Sequence, residues 1–281
     1  MDKIALITDS SCDLSKDLII ENNINIIPLR ICYSYGEFRD GFDITADEVY
    51  NNFHKEIPTT SMPSPGDFIE TINKVKSEGY THCIVVSISE GLSGTYSMLK
   101  SISSEIEDIK IHIIDSKLLS KALGVVTLEA ARLIKMGHSF ESIIEKLDEF
   151  KSQTKVFFTV GTLEYLKKGG RIGKVAATLG EVLNLKPIIT IGEDGKYYTY
   201  SKARGTKNAL EKLIVPLEDF CKTTKANVSI LEAMAENESK FLYNKIKNLP
   251  NINSICITKI TPSLAIHTGP GSVGVVFSPA R

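Results

Sequence analysis

The clearest indication of the fold is the stretch Val85-Val86-Ser87-Ile88-Ser89-Glu90-Gly91-Leu92-Ser93-Gly94-Thr95-Tyr96. An apolar run rich in valine is followed by a polar, glycine-rich turn and then by residues that can begin a helix. This order is typical of α/β proteins, in which the loops after parallel strands carry the function. Free N–H groups at the start of such a helix, together with the hydroxyls of Ser93 and Thr95, predict a site for a phosphate or a carboxylate.

Two other interpretations of Ser93 remain open at this point. The residue could simply be the N-cap of the helix. The stretch Gly91–Thr95 also resembles the nucleophile elbow G-x-S-x-G, although Thr95 stands where the last glycine belongs. In that case Ser93 would be the nucleophile of an acyl hydrolase or transferase, and it would need a histidine as base, for which His267 is the candidate.

The rest of the first half repeats the alternation of strand and helix. A capping box, Thr45 with Glu48, and an N-cap followed by proline, Ser64-Pro65, mark two helix starts between the strands. Runs rich in Ile and Val predict a parallel sheet covered by helices, with strands at Ile4–Thr8, Asn25–Tyr33, His82–Ile88 and Ile111–Ile114.

The second half has a different pattern, typical of an α+β arrangement. It begins with a strand at Val156–Val160, continues with a helix near Lys174–Asn184, and then shows a hairpin over Ile191–Tyr200 around a Glu-Asp-Gly turn. Two further helices, Thr206–Cys221 and Glu236–Lys247, alternate with short strands. We therefore predict two domains, residues 1–152 and 153–281.

Composition excludes several classes of function. The chain of 281 residues carries 33 Lys plus Arg against 34 Asp plus Glu, which argues against a surface that neutralises many phosphates of a nucleic acid. The first residues lack the apolar run of a signal peptide, and the charge-free stretch 260–280 contains too many prolines and glycines for a membrane helix. Five scattered cysteines indicate neither disulfides nor a metal site. We expect a cytoplasmic protein without a cofactor.

Two polar loops are further candidates for binding. The stretch Ile57–Pro65 is stiffened by prolines and offers the hydroxyls of Thr60 and Ser61 to a ligand head group, although such clusters are usually only loops. The stretch Lys167–Lys174 is a basic, glycine-rich turn that fails the Walker pattern. It is either a solvated turn or a place where Arg171 contacts an anion or a partner.

The C-terminal Gly269–Gly274 matches G-x-G-x-x-G, but a strand follows it instead of a helix, so we reject dinucleotide binding there. His267, just before it, is the only histidine that the sequence places in a glycine-rich loop with hydroxyl residues. On spacing alone this histidine is a weak candidate.

Taken together, these motifs resemble the DegV family. The resemblance covers nearly the whole chain and rests on an ordered set of motifs: Ile7-Thr8-Asp9-Ser10, Thr60-Ser61-x-Pro63-Ser64-Pro65, Leu92-Ser93-Gly94-Thr95, Asp115-Ser116, Leu166-x-x-Gly169-Gly170-Arg171-Ile172, Lys186-Pro187-Ile188 and Gly269-Pro270-Gly271.

The resemblance implies a fold and a function. The fold would be an N-terminal α/β/α domain with a parallel sheet and a smaller C-terminal α/β domain with a mixed sheet, with a ligand tunnel between the two. The function would be that of a bacterial lipid-binding subunit without catalytic activity of its own. It would present a long-chain fatty acid to a fatty acid kinase, whose product, an acyl phosphate, enters phospholipid synthesis.

By the same resemblance, Thr60, Ser93 and His267 would hold the carboxylate of the fatty acid. Ser61 and Gly94 would flank it, and Arg171 would lie near the mouth, where a phosphate or the partner could meet it. The sequence departs from the family pattern at two positions, Met62 in place of glutamine and Ala122 in place of glycine, so the preferred acyl chain is not implied.

Overall fold

A computed structural model of the chain describes residues 2–178 and 184–281. The elements of its first half, in chain order, are β1 (Ile4–Asp9), α1 (Lys16–Glu21), β2 (Ile24–Ile27), β3 (Arg30–Tyr33), β4 (Gly36–Arg39), α2 (Ala46–Asn52), β5 (Thr59–Ser61), α3 (Pro65–Ser77), β6 (His82–Ser87), α4 (Thr95–Ser103), β7 (Lys110–Asp115), α5 (Ser120–Lys135) and α6 (Phe140–Gln153). Those of its second half are β8 (Lys155–Thr159), α7 (Glu164–Lys168), β9 (Leu185–Ile191), β10 (Tyr197–Arg204), α8 (Thr206–Cys221), β11 (Ala226–Ala233), α9 (Glu236–Ile246), β12 (Ile252–Lys259), α10 (Pro262–Thr268) and β13 (Ser272–Pro279).

The first half contains a four-stranded parallel sheet in the order β2-β1-β6-β7. Because successive side chains of a strand point to opposite faces, Leu6 and Ile84 pack into one apolar cluster with α5 and α6. Ile7 and Val85 pack into another with α3 and α4. Helices therefore cover both faces of the sheet, and the predicted α/β class is confirmed.

The second half contains a six-stranded mixed sheet in the order β10-β9-β8-β13-β11-β12. Phe157 and Phe277 belong to a cluster between one face of this sheet and the helices α8 and α9. On the other face, Val156 and Phe158 share a cluster with residues of α5 and α6. The helix α5 is thus packed between the two sheets, and one continuous core joins the halves of the chain.

The stretch Asn25–Tyr33 is two strands, so its prediction as one strand was wrong. Pro28 separates them, because proline has no N–H group to donate to a sheet. The strand β2 joins the parallel sheet, whereas β3 forms a separate small antiparallel sheet in the order β4-β3-β5. This small sheet matters for the site because β5 carries Thr60.

The prediction that His267 lies in a loop was also wrong, because the residue belongs to the last turn of α10. Pro262 at the first position of that helix is a start signal that the sequence analysis did not use. For the helix predicted near Lys174–Asn184, the structure shows a 3-10 helix over Gly173–Thr178, and residues 179–183 lie outside the described part. None of the helices that the structure describes is long and apolar enough to cross a membrane.

Candidate functional site

All six candidate site residues line one cavity of about 210 Å³. The cavity lies where the loop after β6 meets the strand β5, the helix α10 and the second half of the chain. Its polar lining comes from Thr60, Ser61, Ser93, Arg171, Tyr197, Ser263 and His267, and the remaining lining from Leu29, Met62, Ile88, Leu92, Gly94, Leu119 and Leu264.

Thr60 and His267 form the central contact of the cavity. Oγ1 of Thr60 lies 2.7 Å from Nε2 of His267, across 207 positions of sequence. The register of the small sheet fixes Thr60, which pairs with Ile31 of β3, and the last turn of α10 fixes His267. The pair therefore joins the two halves of the chain at the site.

His267 is held in its neutral form. Burial and, to a smaller extent, the positive charge of Arg171 lower the pKa of the imidazole to about 4. Nδ1 of the ring is buried and has no hydrogen-bond partner among the described residues. It faces Gly169, where an added Cβ would lie only 2.1 Å away. A buried N–H group without an acceptor is unfavourable, so we assign the ring hydrogen to Nε2. His267 then donates to Thr60, and the hydroxyl hydrogen of Thr60 is left for a ligand in the cavity.

This assignment gives a prediction for the isolated protein. Ring ¹⁵N spectra of His267 should show the neutral Nε2–H tautomer at pH 7, with no protonation until the pH falls toward the pKa of about 4. The depressed pKa also means that unfolding takes up a proton between about pH 6.5 and 4, so this group destabilises the fold as the pH falls through that window. A His267→Gln variant identifies the resonance. An Nδ1–H tautomer, or protonation near pH 6.5, would contradict the assignment.

Ser93 lies half-buried in the loop between β6 and α4. Its Oγ is 2.8 Å from Oγ1 of Thr95 and accepts a hydrogen bond from the amide of Thr95. The N-cap residue of α4 is Gly94, so the interpretation of Ser93 as the N-cap was wrong. Among the described residues, the hydroxyl of Ser93 is hydrogen-bonded to Thr95 and the imidazole of His267 to Thr60. A nucleophilic serine would instead be hydrogen-bonded to its histidine base.

Ser61 and Gly94 lie at the exposed rim of the cavity, together with Met62. A Cβ on Gly94 would come within 2.8 Å of Sδ of Met62. The methionine therefore lies over Gly94, and a larger residue there would push its side chain aside. Met62 is one of the two positions at which the sequence departs from the family pattern.

Arg171 is half-buried beside the cavity. Its Nε donates to the carbonyl of Leu92 (3.1 Å) and its Nη1 to the carbonyl of Gly169 (2.7 Å). Arg171 is thus bonded to backbone carbonyls rather than solvated, whereas Lys168 and Lys174 form ion pairs with acidic side chains.

A second pocket, of about 320 Å³, adjoins the first. We call the first the inner cavity and the second the outer pocket. The two share Thr60, Arg171 and His267, and the outer one adds Lys168 and Gly170 to its lining. An anion in the outer pocket would therefore lie beside the polar residues of the inner cavity, close to the side chains of Arg171 and Lys168.

Part of the lining of the inner cavity is apolar, namely Leu29, Ile88, Leu92, Leu119 and Leu264. Two of these residues, Leu119 and Leu264, also line a separate hollow of about 20 Å³ between α5, α10 and the second sheet. The hollow is lined mainly by apolar side chains, among them Val156, Phe158, Leu231 and Ile260. A ligand with a polar head and an apolar tail matches this division.

Tyr197, Ser263 and Leu119 also line the inner cavity. They were not predicted, since nothing in their local sequence marks them.

Comparison with known proteins covers almost the whole chain. A family model described as an uncharacterised protein of the DegV family matches residues 3–280. A DegV domain-containing protein of Clostridium acetobutylicum is 44% identical over 278 residues, which are 99% of this chain and 99% of that protein. One from Clostridium perfringens is 45% identical over 275 residues, 98% of each.

Solved structures with the same fold include proteins that bind fatty acids. A fatty-acid-binding DegV family protein of Thermus thermophilus has a TM-score of 0.92 at 31% identity and covers 99% of this chain and 100% of its own. The fatty acid binding protein DegV of Bacillus subtilis has a TM-score of 0.91 at 26% identity, with complete coverage of both chains at 100%. A stearic-acid-binding protein of Eubacterium ventriosum has a TM-score of 0.89 at 28% identity, covering 99% and 98%.

Proposed function

This chain belongs to the DegV family, and we propose that it binds a long-chain fatty acid in the cavity between its two halves. One observation carries the proposal: the Thr60–His267 pair lines a cavity that shares Leu119 and Leu264 with a neighbouring apolar hollow. The fatty acid would be the only ligand, with no metal and no cofactor.

The head group would be held by hydroxyl groups rather than by a full positive charge. Thr60 and Ser93 donate to the carboxylate, and His267 fixes the orientation of Thr60 through Nε2. Ser61 and Gly94 close the rim beside it. Hydrogen bonds to a charged group contribute about 1.5–3 kcal/mol each, and each methylene group that leaves water contributes about 0.8 kcal/mol. Tail burial therefore supplies most of the affinity, and the head-group contacts supply the preference for an acid.

We propose further that the bound acid is presented to a fatty acid kinase, as the family resemblance implies. The partner would transfer the terminal phosphoryl group of ATP to a carboxylate oxygen, giving an acyl phosphate and ADP. The outer pocket supports this step, because Arg171 and Lys168 line it next to the shared residues Thr60 and His267. Loaded protein with ATP alone should form no acyl phosphate, whereas addition of such a kinase should produce it.

Binding of an acid can be compared with binding of its alcohol. Delipidated protein is titrated with palmitate and with cetyl alcohol, which has the same chain but no charge. Because the head-group hydrogen bonds are strongest to a charged acceptor, palmitate should bind about tenfold more tightly or better. Equal affinity for the two ligands, or no binding of palmitate, would contradict the proposal.

The competing enzyme hypothesis has its own test. A fluorophosphonate probe would label Ser93 if that serine were an activated nucleophile. We expect no labelling, and retention of palmitate without turnover. Labelling that is lost in Ser93→Ala would favour an acyl hydrolase or transferase instead.

A further inference from the structure

The helix α10, which carries His267, is held at its other end by two carboxylates from the first half of the chain. Oδ1 of Asp13 accepts a hydrogen bond of 2.8 Å from the amide of Thr261. Oδ1 of Asp40 accepts one of 3.0 Å from the amide of Ser263, and Oδ2 of Asp40 accepts another of 2.7 Å from the hydroxyl of the same serine. The start of α10 is thus fixed by residues more than 200 positions away in sequence.

Both carboxylates are buried, and each is itself fixed by a serine. Ser120 donates to Asp13, and Ser10 donates to Asp40 at 2.6 Å. Asp13 is 4% exposed and Asp40 is 0% exposed. Burial raises the pKa of both groups, that of Asp13 to about 7. Buried carboxylates are costly for a fold, so two of them at the start of one short helix indicate a specific role there.

The position of this helix decides where His267 lies. α10 has seven residues, so at about 1.5 Å per residue it is only about 10 Å long. A short helix moves as a rigid body, and a displaced start would displace His267 at its end. Ile266 packs into the small cluster of Ile31, Tyr33, Ile44 and Val49, and Leu264 and Ala265 pack into the main core. These contacts hold the middle and the end of the helix, whereas the hydrogen bonds to Asp13 and Asp40 hold its start.

We propose that Asp13 and Asp40 are positioning residues for the head-group site: they anchor the start of α10 across the two halves of the chain and thereby hold His267 against Thr60. Neither carboxylate is among the residues that line the cavity, so both act through the helix. This inference rests on the proposed function for its effect on fatty acid binding, whereas its effect on the Thr60–His267 contact is independent of any ligand.

The test compares Asp40→Ala and Asp40→Asn with the wild type. Asp40→Ala removes both acceptors of Ser263, so palmitate affinity should fall about tenfold or more while cetyl alcohol affinity stays within about twofold. Asp40→Asn keeps one carbonyl acceptor for the amide of Ser263 and should recover part of the loss. In the ligand-free protein, the ring ¹⁵N signals of His267 should shift in Asp40→Ala and return toward the wild type in Asp40→Asn.

Asp9→Asn is the matched control. Asp9 is an equally buried carboxylate, 1% exposed, but its partners are Ser11 and the amide of Ile88 rather than α10. The Asp9→Asn substitution should lower the stability of the fold without shifting the ring ¹⁵N signals of His267. If Asp40→Ala does not fold, Ser10→Ala can be used instead, because it removes one hydrogen bond to Asp40. It should lower palmitate affinity and shift the His267 signals in the same direction, but by less.

The outcomes separate this inference from the proposed function. Equal losses for palmitate and cetyl alcohol, or unchanged His267 signals in a folded Asp40→Ala, would overturn the positioning role. If the wild type binds no palmitate, the proposed function fails, but the His267 signals still decide whether Asp40 positions the ring.

Discussion

Replacing Thr60 by valine and Ser93 by alanine together is expected to lower palmitate affinity by about 100-fold or more. Each substitution removes one hydroxyl donor from the polar end of the cavity and leaves the backbone unchanged. Two hydrogen bonds to a carboxylate, at about 1.5–3 kcal/mol each, account for a loss of that size. The valine also deprives Nε2 of His267 of its partner, which should lower the stability of the free and the bound protein alike.

The measurement is a fluorescence or calorimetric titration of delipidated protein. The double variant Thr223→Val with Ser104→Ala is the matched control, because it makes the same chemical changes at exposed positions. Cetyl alcohol binding should change far less than palmitate binding in the site variant. Undiminished palmitate affinity in a folded Thr60→Val with Ser93→Ala would remove these residues from the site.

Gly169→Ala is expected to weaken palmitate binding about tenfold through the displacement of a single ring. Gly169 has φ −75°, a conformation that alanine adopts without strain, so the backbone is not the obstacle. The added Cβ would lie 2.1 Å from Nδ1 and 2.8 Å from Cε1 of His267. Because such distances are not possible between unbonded atoms, the ring must move, and its contact with Thr60 is broken.

A double-mutant cycle checks the mechanism of this effect. If Gly169→Ala acts only through His267, it should have no further effect on palmitate affinity in a His267→Ala background. Gly36→Ala, at a glycine whose nearest neighbour would be a phenylalanine ring 3.7 Å away, is the control for a harmless added methyl group. Equal losses with and without His267 would show that Gly169 acts in another way.

Local sequence patterns were sufficient for most of the fold. The runs of isoleucine and valine that lead into Asp9 and Asp115 predicted the parallel sheet, and the capping box of Thr45 and Glu48 is present as expected. Inside α5, Gly124 packs against the carbonyl of Cys12, to which an added Cβ would lie at 2.3 Å.

The failures have local physical causes. Pro28 ends β2 and lets the chain begin a second sheet, so a continuous apolar run was not one strand. The helix α10 is too short to show a helical period, and all of its residues except His267 are buried, so it lacks the alternation of polar and apolar faces on which prediction depends.

The candidate site depended on more than local sequence. Local sequence made Thr60 and His267 only weak candidates, and the family resemblance alone placed them at one site, since their contact across 207 positions leaves no local signal. Asp13 and Asp40 lie outside the helices and strands, where an aspartate usually faces solvent. Only the structure shows that both are buried against the start of α10.

The most direct test of the account is the mass of the protein with its ligand. Protein purified from a lipid-containing bacterial host is measured by native mass spectrometry, and the ligand is identified after denaturation. We predict a species heavier than the chain by one long-chain fatty acid, with occupancy strongly reduced in Thr60→Val with Ser93→Ala. A wild-type protein that carries no fatty acid, and that gains no mass after incubation with palmitate, would contradict the account.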